Sequence, residues 1–210
     1  MFETETSVSW NRLAELLSSK FQKDVGIPLK KTELDFISTM LPDPRPTTGE
    51  DHVTWEQFAK TNLNQRDFTF FEWFYKILIL VREQLLQLYS SGLIHGFISS
   101  NQAQYLLSGT EDGTFLIRFS ETIPGAISIA YVRASKFEKL HPWDIERLKK
   151  ISLSHTIKCN DFLLFLQPKI PKNNVFLPFY THSESTRSIT GTDYKQDTNI
   201  ASIIDSNSEL

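Results

Sequence analysis

The most informative part of the sequence is an apolar segment with an arginine inside it, Gly113-Thr114-Phe115-Leu116-Ile117-Arg118-Phe119-Ser120-Glu121-Thr122. Its side chains alternate at strand spacing, so we expect Leu116 and Arg118 on one face of a β-strand. The opposite face is expected to carry Phe115, Ile117 and Phe119. A buried guanidinium is costly unless it meets an anion, and its planar fork suits a phosphate or a carboxylate. The segment therefore predicts a buried strand that binds an anion.

A short turn rich in hydroxyl groups follows this strand. Ser120, Glu121 and Thr122 come directly after it, and Pro124-Gly125 closes the turn. Hydroxyls and backbone amides in such a turn can complete a cradle for phosphate oxygens around an arginine. A second interpretation is a structural ion pair between Arg118 and an internal carboxylate. The local sequence leaves both interpretations open.

The flanking residues predict a helix before the arginine-bearing strand and another strand after it. Ser99 and Gln102 have the spacing of a capping box at a helix start. The apolar stripe of this helix comprises Ala103, Leu106 and Leu107. Residues 126–132, Ala-Ile-Ser-Ile-Ala-Tyr-Val, indicate a second strand joined to the first by the short turn.

This order of helix, arginine-bearing strand, turn and strand resembles the front half of a Src-homology-2 (SH2) domain, the phosphotyrosine-binding module. The segment from Gly113 to Thr122 is similar to the form found in the signal transducer and activator of transcription (STAT) family. Further segments resemble that family in the same order: Val8-Ser9-Trp10, Trp55-Glu56-Gln57-Phe58, Phe68-Thr69-Phe70-Phe71-Glu72-Trp73-Phe74, residues 166–180 and Gly191-Thr192-Asp193-Tyr194. The resemblance therefore covers essentially the whole chain.

The resemblance implies roles for individual residues. Arg118 matches the arginine that binds the oxygens of phosphotyrosine. The phosphate-binding loop is matched by Ser120, Glu121 and Thr122. Because a carboxylate repels phosphate, we expect Glu121 to bond backbone amides or to brace a lysine instead of touching the phosphate. Tyr194 lies where the family carries its activating tyrosine, so it is the expected phosphorylation site.

One position of the phosphotyrosine site departs from the family pattern. STAT domains carry a lysine early in the first SH2 helix, where it reaches the phosphate, whereas this chain has Ser100. A lost charge-assisted hydrogen bond costs about 1.5–3 kcal/mol, so weaker binding is expected. His95, Arg133 or Lys136 are the cations that could compensate.

The expected fold class is α+β, with an all-α linker bundle packed on an SH2-type central antiparallel sheet that is flanked by helices. Residues 1–88 are assigned to the linker, 89–182 to the SH2 domain and 183–210 to a flexible tail rich in serine and threonine. Helices are predicted over residues 10–21, from Thr32, from the capping boxes Thr54/Gln57 and Thr69/Glu72, the latter reaching about Leu88, and over residues 154–165.

Composition excludes several classes of protein. The net charge of −3 argues against a chain that holds DNA through its phosphates. Cys159 is the sole cysteine, so no internal disulfide can form and a reducing compartment fits best. We expect no signal peptide at Met1, and the charges within residues 68–89 argue against a membrane span. No calcium loop and no kinase, phosphatase or nucleotide motif is present, which predicts no metal, no cofactor and no enzymatic activity.

The function implied by the resemblance is that of a phosphotyrosine-binding signal transducer and activator of transcription. Its expected partners are phosphorylated receptors and tyrosine kinases, and phosphorylation of Tyr194 is expected to give homo- or heterodimers in cytoplasm and nucleus. DNA would be contacted only through domains absent from this chain. The alternative is a free-standing SH2 adaptor, or a truncated dominant-negative form, without DNA binding.

Overall fold

The computed structural model describes residues 6–180 and has the expected α+β fold. The helices are α1 (Trp10–Val25), α2 (Lys31–Thr39), α3 (Trp55–Ala59), α4 (Phe70–Leu80), α5 (Leu86–Ser90), α6 (Ser100–Leu107), α7 (Ile145–Lys150), α8 (Leu153–Cys159) and α9 (Lys172–Tyr180). The strands are β1 (Ser7–Ser9), β2 (His52–Thr54), β3 (Thr114–Phe119), β4 (Ala126–Arg133), β5 (Lys136–Lys139), β6 (Trp143–Asp144), β7 (Phe165–Leu166) and β8 (Ile170–Pro171). The predicted tail and Tyr194 lie outside the described residues.

Two of the predicted capping boxes start linker helices. The Thr54 hydroxyl accepts from the Gln57 amide, and the Gln57 side chain accepts from the Thr54 amide at the start of α3. Thr69 and Glu72 make the same reciprocal pair at the start of α4. These bonds satisfy amides that have no partner within their helix, which is why the local sequence located both starts.

The long helix predicted from Thr69 is interrupted in its α-helical hydrogen bonding. A π-helical turn, Val81–Leu85, separates α4 from α5, which ends at Ser90. Leu85 leaves helical geometry, with φ −123° and ψ 3°. Such turns are short interruptions within α-helices, so the overall helical periodicity did not reveal this one.

The main sheet has β3 near its middle. β4 pairs antiparallel with β3 and with both β5 and β6. β7 pairs parallel with β3 and antiparallel with β8. In the β3–β4 register Arg118 lies opposite Ser128. The expected antiparallel sheet is therefore correct for its main strands, and the short parallel strand β7 is an addition.

The two faces of β3 contact different layers. Leu116 packs with Ala103 and Leu107 of α6 in a small apolar cluster. The three residues predicted for the other face, Phe115, Ile117 and Phe119, belong to the large core shared with the linker. The alternation read from the sequence is confirmed, and Arg118 consequently lies on the α6 face.

A continuous aromatic core joins the linker helices to the sheet. Phe97 contacts Phe21 of α1 and Trp73 of α4, with ring centroids 5.8 and 5.9 Å apart. The same Phe97 ring lies 4.8 Å from Phe119 of β3, edge to face. Each such pair contributes about 0.5–1.5 kcal/mol beyond the area it buries. The linker is therefore fixed against the sheet.

The prediction of a helix over residues 154–165 was wrong in its second half. Helix α8 ends at Cys159, and Phe165 instead begins β7. Asn160 ends the helix by donating its side-chain amide to the Thr156 carbonyl. Short helices α7 and α9 were not predicted. Among residues 6–180 no helix has the length and apolar character needed to cross a bilayer.

Candidate phosphate-binding site

Arg118 lies on β3 with only 5% of its surface exposed. Its Nη1 donates to the Phe119 carbonyl at 3.1 Å and to the Ile98 carbonyl at 3.5 Å. Its Nε is buried and has no hydrogen-bond partner among the described residues. Since an unpaired buried donor costs about 1–3 kcal/mol, this arginine favours a further acceptor beside it.

Glu121 supplies the carboxylate nearest to this arginine. Its Oε2 accepts from Arg118 Nη1 at 2.9 Å and from the backbone N–H of Ser100 at 2.9 Å. Burial lowers the pKa of Arg118 from its usual value, and the Glu121 carboxylate acts in the opposite direction. The guanidinium remains charged at neutral pH. The ion-pair interpretation is therefore observed, with a carboxylate that belongs to the hydroxyl-rich turn itself, and phosphate binding stays a prediction.

The contacts of Glu121 match the first of the two alternatives expected for it. It does bond a backbone amide, at the first residue of α6, as the sequence suggested. The cation that it braces is Arg118 and not a lysine. One quarter of the Glu121 side-chain surface is exposed, against 6% for Arg118, so the carboxylate lies at the rim of the site and the guanidinium is buried.

Ser120 organises the turn after β3. The residue is buried, and its Oγ accepts from the amides of Thr122 at 3.2 Å and Ile123 at 3.0 Å. Its Oγ also lies 3.3 Å from the Thr122 hydroxyl, and Thr122 is exposed. Thr122 is therefore an exposed residue on a turn whose backbone amides are held by the buried Ser120.

Helix α4 of the linker contacts both ends of this turn, which sequence reasoning missed. The Trp73 indole donates to the Ser120 carbonyl at 2.9 Å. Gly125, with φ +68°, lies so close to Lys76 that an added Cβ would be 2.8 Å from the Lys76 Cβ. No local signal links residues this far apart, since the contacts depend on the tertiary packing of α4.

Ser100, the first residue of α6, has a lysine beside it. The Lys139 Nζ, from β5, lies 3.4 Å from the Ser100 hydroxyl. Among residues 6–180, none of the three cations suggested from the sequence makes a hydrogen bond to the Ser100 hydroxyl, where Lys139 lies. The His95 amide donates to Ile117, and burial lowers the pKa of the His95 ring. Arg133 lies over the Phe162 ring at 5.4 Å.

Comparisons with known proteins decide the family. The model for the signal transducer and activator of transcription linker domain matches residues 1–74, and the SH2 model matches residues 93–162. The signal transducer and transcription activator of Drosophila melanogaster is 35% identical over 164 residues, 77% of this chain and 21% of the fly protein. Signal transducer and activator of transcription 4 of Mus musculus is 32% identical over 196 residues, 86% of this chain and 26% of that protein. The chain belongs to the STAT family.

The STAT resemblance drawn from the motifs is therefore confirmed. This STAT chain spans about a quarter of the length of the curated relatives that it matches. A solved structure, described as an inactive choanoflagellate E3 ubiquitin ligase Cbl TKB, aligns with a TM-score of 0.32 and 16% identity, over 89% of this chain and 53% of the other. That score is too low to support an argument. In this STAT chain the SH2 match includes Ser100, Arg118 and Lys139.

Proposed function

We propose that this STAT chain binds phosphotyrosine in other proteins through Arg118 and the loop formed by Ser120, Glu121 and Thr122. The observation that carries the proposal is the buried guanidinium, whose Nε has no partner among the described residues and whose Nη1 meets only carbonyls and one rim carboxylate. A dianionic phosphate provides the acceptors that this fork lacks.

The geometry favours phosphotyrosine over phosphoserine. Arg118 lies on a buried strand beneath α6, so an incoming phosphate has to reach below the surface. The long aromatic side chain of phosphotyrosine extends farther from its backbone than that of phosphoserine. At the rim, the Thr122 hydroxyl and the Ser100 amide at the helix start are the further donors in this proposal.

The wider function in this proposal follows the family. Residues 1–88 act as linker, 89–182 as SH2 domain and 183–210 as a tail that carries Tyr194. Phosphorylated receptors and tyrosine kinases are the partners, and phosphorylated Tyr194 binds the Arg118 site of a second STAT chain to form a dimer. The dimer regulates transcription between cytoplasm and nucleus, with DNA contacted by regions outside this chain. The chain has no enzymatic role in this proposal.

Peptide binding tests the proposal. The probe is a peptide with the sequence of residues 188–200, prepared with tyrosine, phosphotyrosine or phosphoserine at position 194. Fluorescence anisotropy with the full chain should show binding of the phosphotyrosine form alone, and Arg118→Ala should weaken it at least about tenfold. Arg133→Ala is the matched control and should bind like the wild type. It also removes an arginine, but an exposed one that lies over the Phe162 ring at 5.4 Å. Equal binding by the Arg118→Ala variant would refute the site.

A further inference from the structure

We infer that Lys139 supplies the second cation of the phosphate site, in the role that a lysine at position 100 would otherwise have. This inference rests on the proposed function and concerns how the same site holds its ligand. It is carried by the placement of β5, by the contact between Lys139 and Ser100, and by the charge balance around Glu121.

The strand register places Lys139 on the same sheet face as Arg118. Ala130 of β4 lies opposite both Leu116 of β3 and Lys139 of β5. Opposed residues of neighbouring strands share a face, and residues two apart on one strand also share it. Leu116 is two residues from Arg118, so Lys139 and Arg118 both belong to the α6 face.

Lys136, at the other end of β5, has the opposite orientation. Its odd spacing from Lys139 places it on the face opposite to that of Arg118. Phe137 confirms the alternation, because it packs against the apolar cluster under α6. A cation on β5 can therefore approach the phosphate site from position 139 and not from position 136.

A chain of polar contacts connects Lys139 to Arg118. The Lys139 Nζ lies 3.4 Å from the Ser100 hydroxyl, and the Ser100 amide donates to Glu121 at 2.9 Å. The same carboxylate oxygen accepts from Arg118 at 2.9 Å. Ser100 and Glu121 thus stand between the two cations, on the rim where a phosphate would enter.

Lys139 adds a positive charge to the pair formed by Arg118 and Glu121. Arg118 and Lys139 together oppose the single carboxylate of Glu121, which leaves one net positive charge at the rim. Without Lys139 a phosphate dianion would meet a site whose charges cancel. The exposed lysine can move from the Ser100 hydroxyl to a phosphate oxygen, because its flexible stem carries a compact charge.

The side chain at position 100 fits this arrangement. Serine is short enough to leave the approach of Lys139 open, whereas a lysine at position 100 would place a second ammonium group beside the first. A cation on α6 and a cation at the end of β5 are therefore alternatives. In this chain the cation comes from the strand.

The experiment uses the full chain and phenyl phosphate, a probe that does not depend on the residues around a phosphotyrosine. Dissociation constants are measured by NMR titration for wild type, Lys139→Gln, Lys136→Gln and Arg118→Ala. We expect Lys139→Gln to weaken binding about tenfold and to flatten its salt dependence. Lys136→Gln, which removes the same charge from the opposite face, should match wild type.

A charge swap makes the test specific to the position. The double variant Ser100→Lys/Lys139→Gln moves the cation from β5 to α6 and should regain most of the affinity lost by Lys139→Gln. Equal binding by Lys139→Gln and Lys136→Gln, with binding lost in Arg118→Ala, would overturn the inference and leave the proposed function standing. Full binding by Arg118→Ala would refute the proposed function itself. A double variant no tighter than Lys139→Gln would also overturn the assignment of Lys139 to that role.

Discussion

The Trp73 indole N–H donates a hydrogen bond of 2.9 Å to the Ser120 carbonyl, across 47 residues of sequence. Both residues are buried, and the Ser120 hydroxyl in turn accepts from the amides of Thr122 and Ile123. A linker helix thereby holds the residue that shapes the loop of the candidate phosphate site. The linker is part of the support of that site and not only a spacer before it.

Replacing Trp73 with phenylalanine should weaken phosphotyrosine binding. The substitution keeps an aromatic ring in the core but leaves the buried Ser120 carbonyl without its donor, which costs about 1–3 kcal/mol of folding free energy. The loop then samples more conformations, so the affinity for the phosphorylated peptide of residues 188–200 should fall about fivefold. Thermal unfolding and peptide anisotropy measure the two effects separately.

Trp10→Phe provides the matched control for this prediction. Trp10 is also a buried linker tryptophan, but it starts α1, where its amide donates to Asp51. The control should lose stability without a change in peptide affinity at temperatures where it remains folded. If both variants lost affinity equally, the bond from Trp73 would have no specific effect on the loop.

Tyr89→Phe should destabilise the packing of α5 against α2. The Tyr89 hydroxyl donates to Glu33 Oε1 at 3.1 Å in a buried setting, while Glu33 Oε2 accepts from the Lys30 amide. Phenylalanine removes only the hydroxyl, so one oxygen of a buried carboxylate loses its donor. Urea unfolding should show a loss of about 1–3 kcal/mol. No measurable loss would mean that solvent reaches Glu33.

Tyr89→Phe should also change how the free energy of unfolding depends on pH. Burial, and then the Glu33 carboxylate, raise the pKa of Tyr89 above its usual value of 10.0. The unfolded chain therefore releases this proton at a lower pH than the folded chain does. The contribution of the raised Tyr89 pKa to the free energy of unfolding is complete below pH 10. It is lost as the pH rises above 10, by at most about 1.4 kcal/mol per pH unit. Tyr89→Phe should show a correspondingly shallower loss of stability above pH 10, and an unchanged slope would contradict the prediction.

The sequence correctly predicted the elements that are determined by interactions between neighbouring residues. The pairs at Thr54 and Thr69 located two helix starts, because a capping box satisfies amides within four residues. The alternation around Arg118 assigned both faces of β3, because successive side chains of a strand point to opposite faces of the sheet. The arginine of the candidate site was found by the same pattern.

The elements that the sequence did not predict depend on contacts between distant residues. The helix over residues 154–165 was predicted too long, because its end is fixed by Asn160 and by Lys172, which belongs to α9. Lys139 was not considered, since only the register of β5 against β4 places it beside Ser100. Contacts of this kind leave no mark in the local pattern.

Lys172→Met should destabilise the end of α8. At the end of α8, where the last helix carbonyls lack partners within the helix, the Lys172 Nζ donates to the Ile157 carbonyl at 3.0 Å. It also donates at 2.8 Å to the Asn160 carbonyl, which accepts from the Leu163 amide as well. Methionine keeps the aliphatic stem and removes the donor, so we expect a loss of about 1–2 kcal/mol in urea unfolding. Lys169→Met is the control, since its exposed ion pair with Glu111 contributes little. Equal losses in the two variants would contradict a role as helix cap.

Glu121→Gln separates stability from binding at the candidate site. Glutamine has nearly the same size, and its side-chain carbonyl can still accept from the Ser100 amide, but it no longer carries the charge that faces Arg118. A buried guanidinium that loses its carboxylate destabilises the folded protein, here by about 1–3 kcal/mol because the carboxylate lies at the rim.

The effect of Glu121→Gln on phosphotyrosine binding should have the opposite sign. In the wild type a phosphate has to compete with the Glu121 carboxylate for Arg118 and for the Ser100 amide, and the two anions repel each other. Without that charge the phosphorylated peptide of residues 188–200 should bind about fivefold tighter, most clearly at low salt. Glu111→Gln, an exposed carboxylate paired with Lys169, should change neither stability nor affinity. Weaker binding by Glu121→Gln would instead mean that the carboxylate is needed to hold the loop in place for the phosphate.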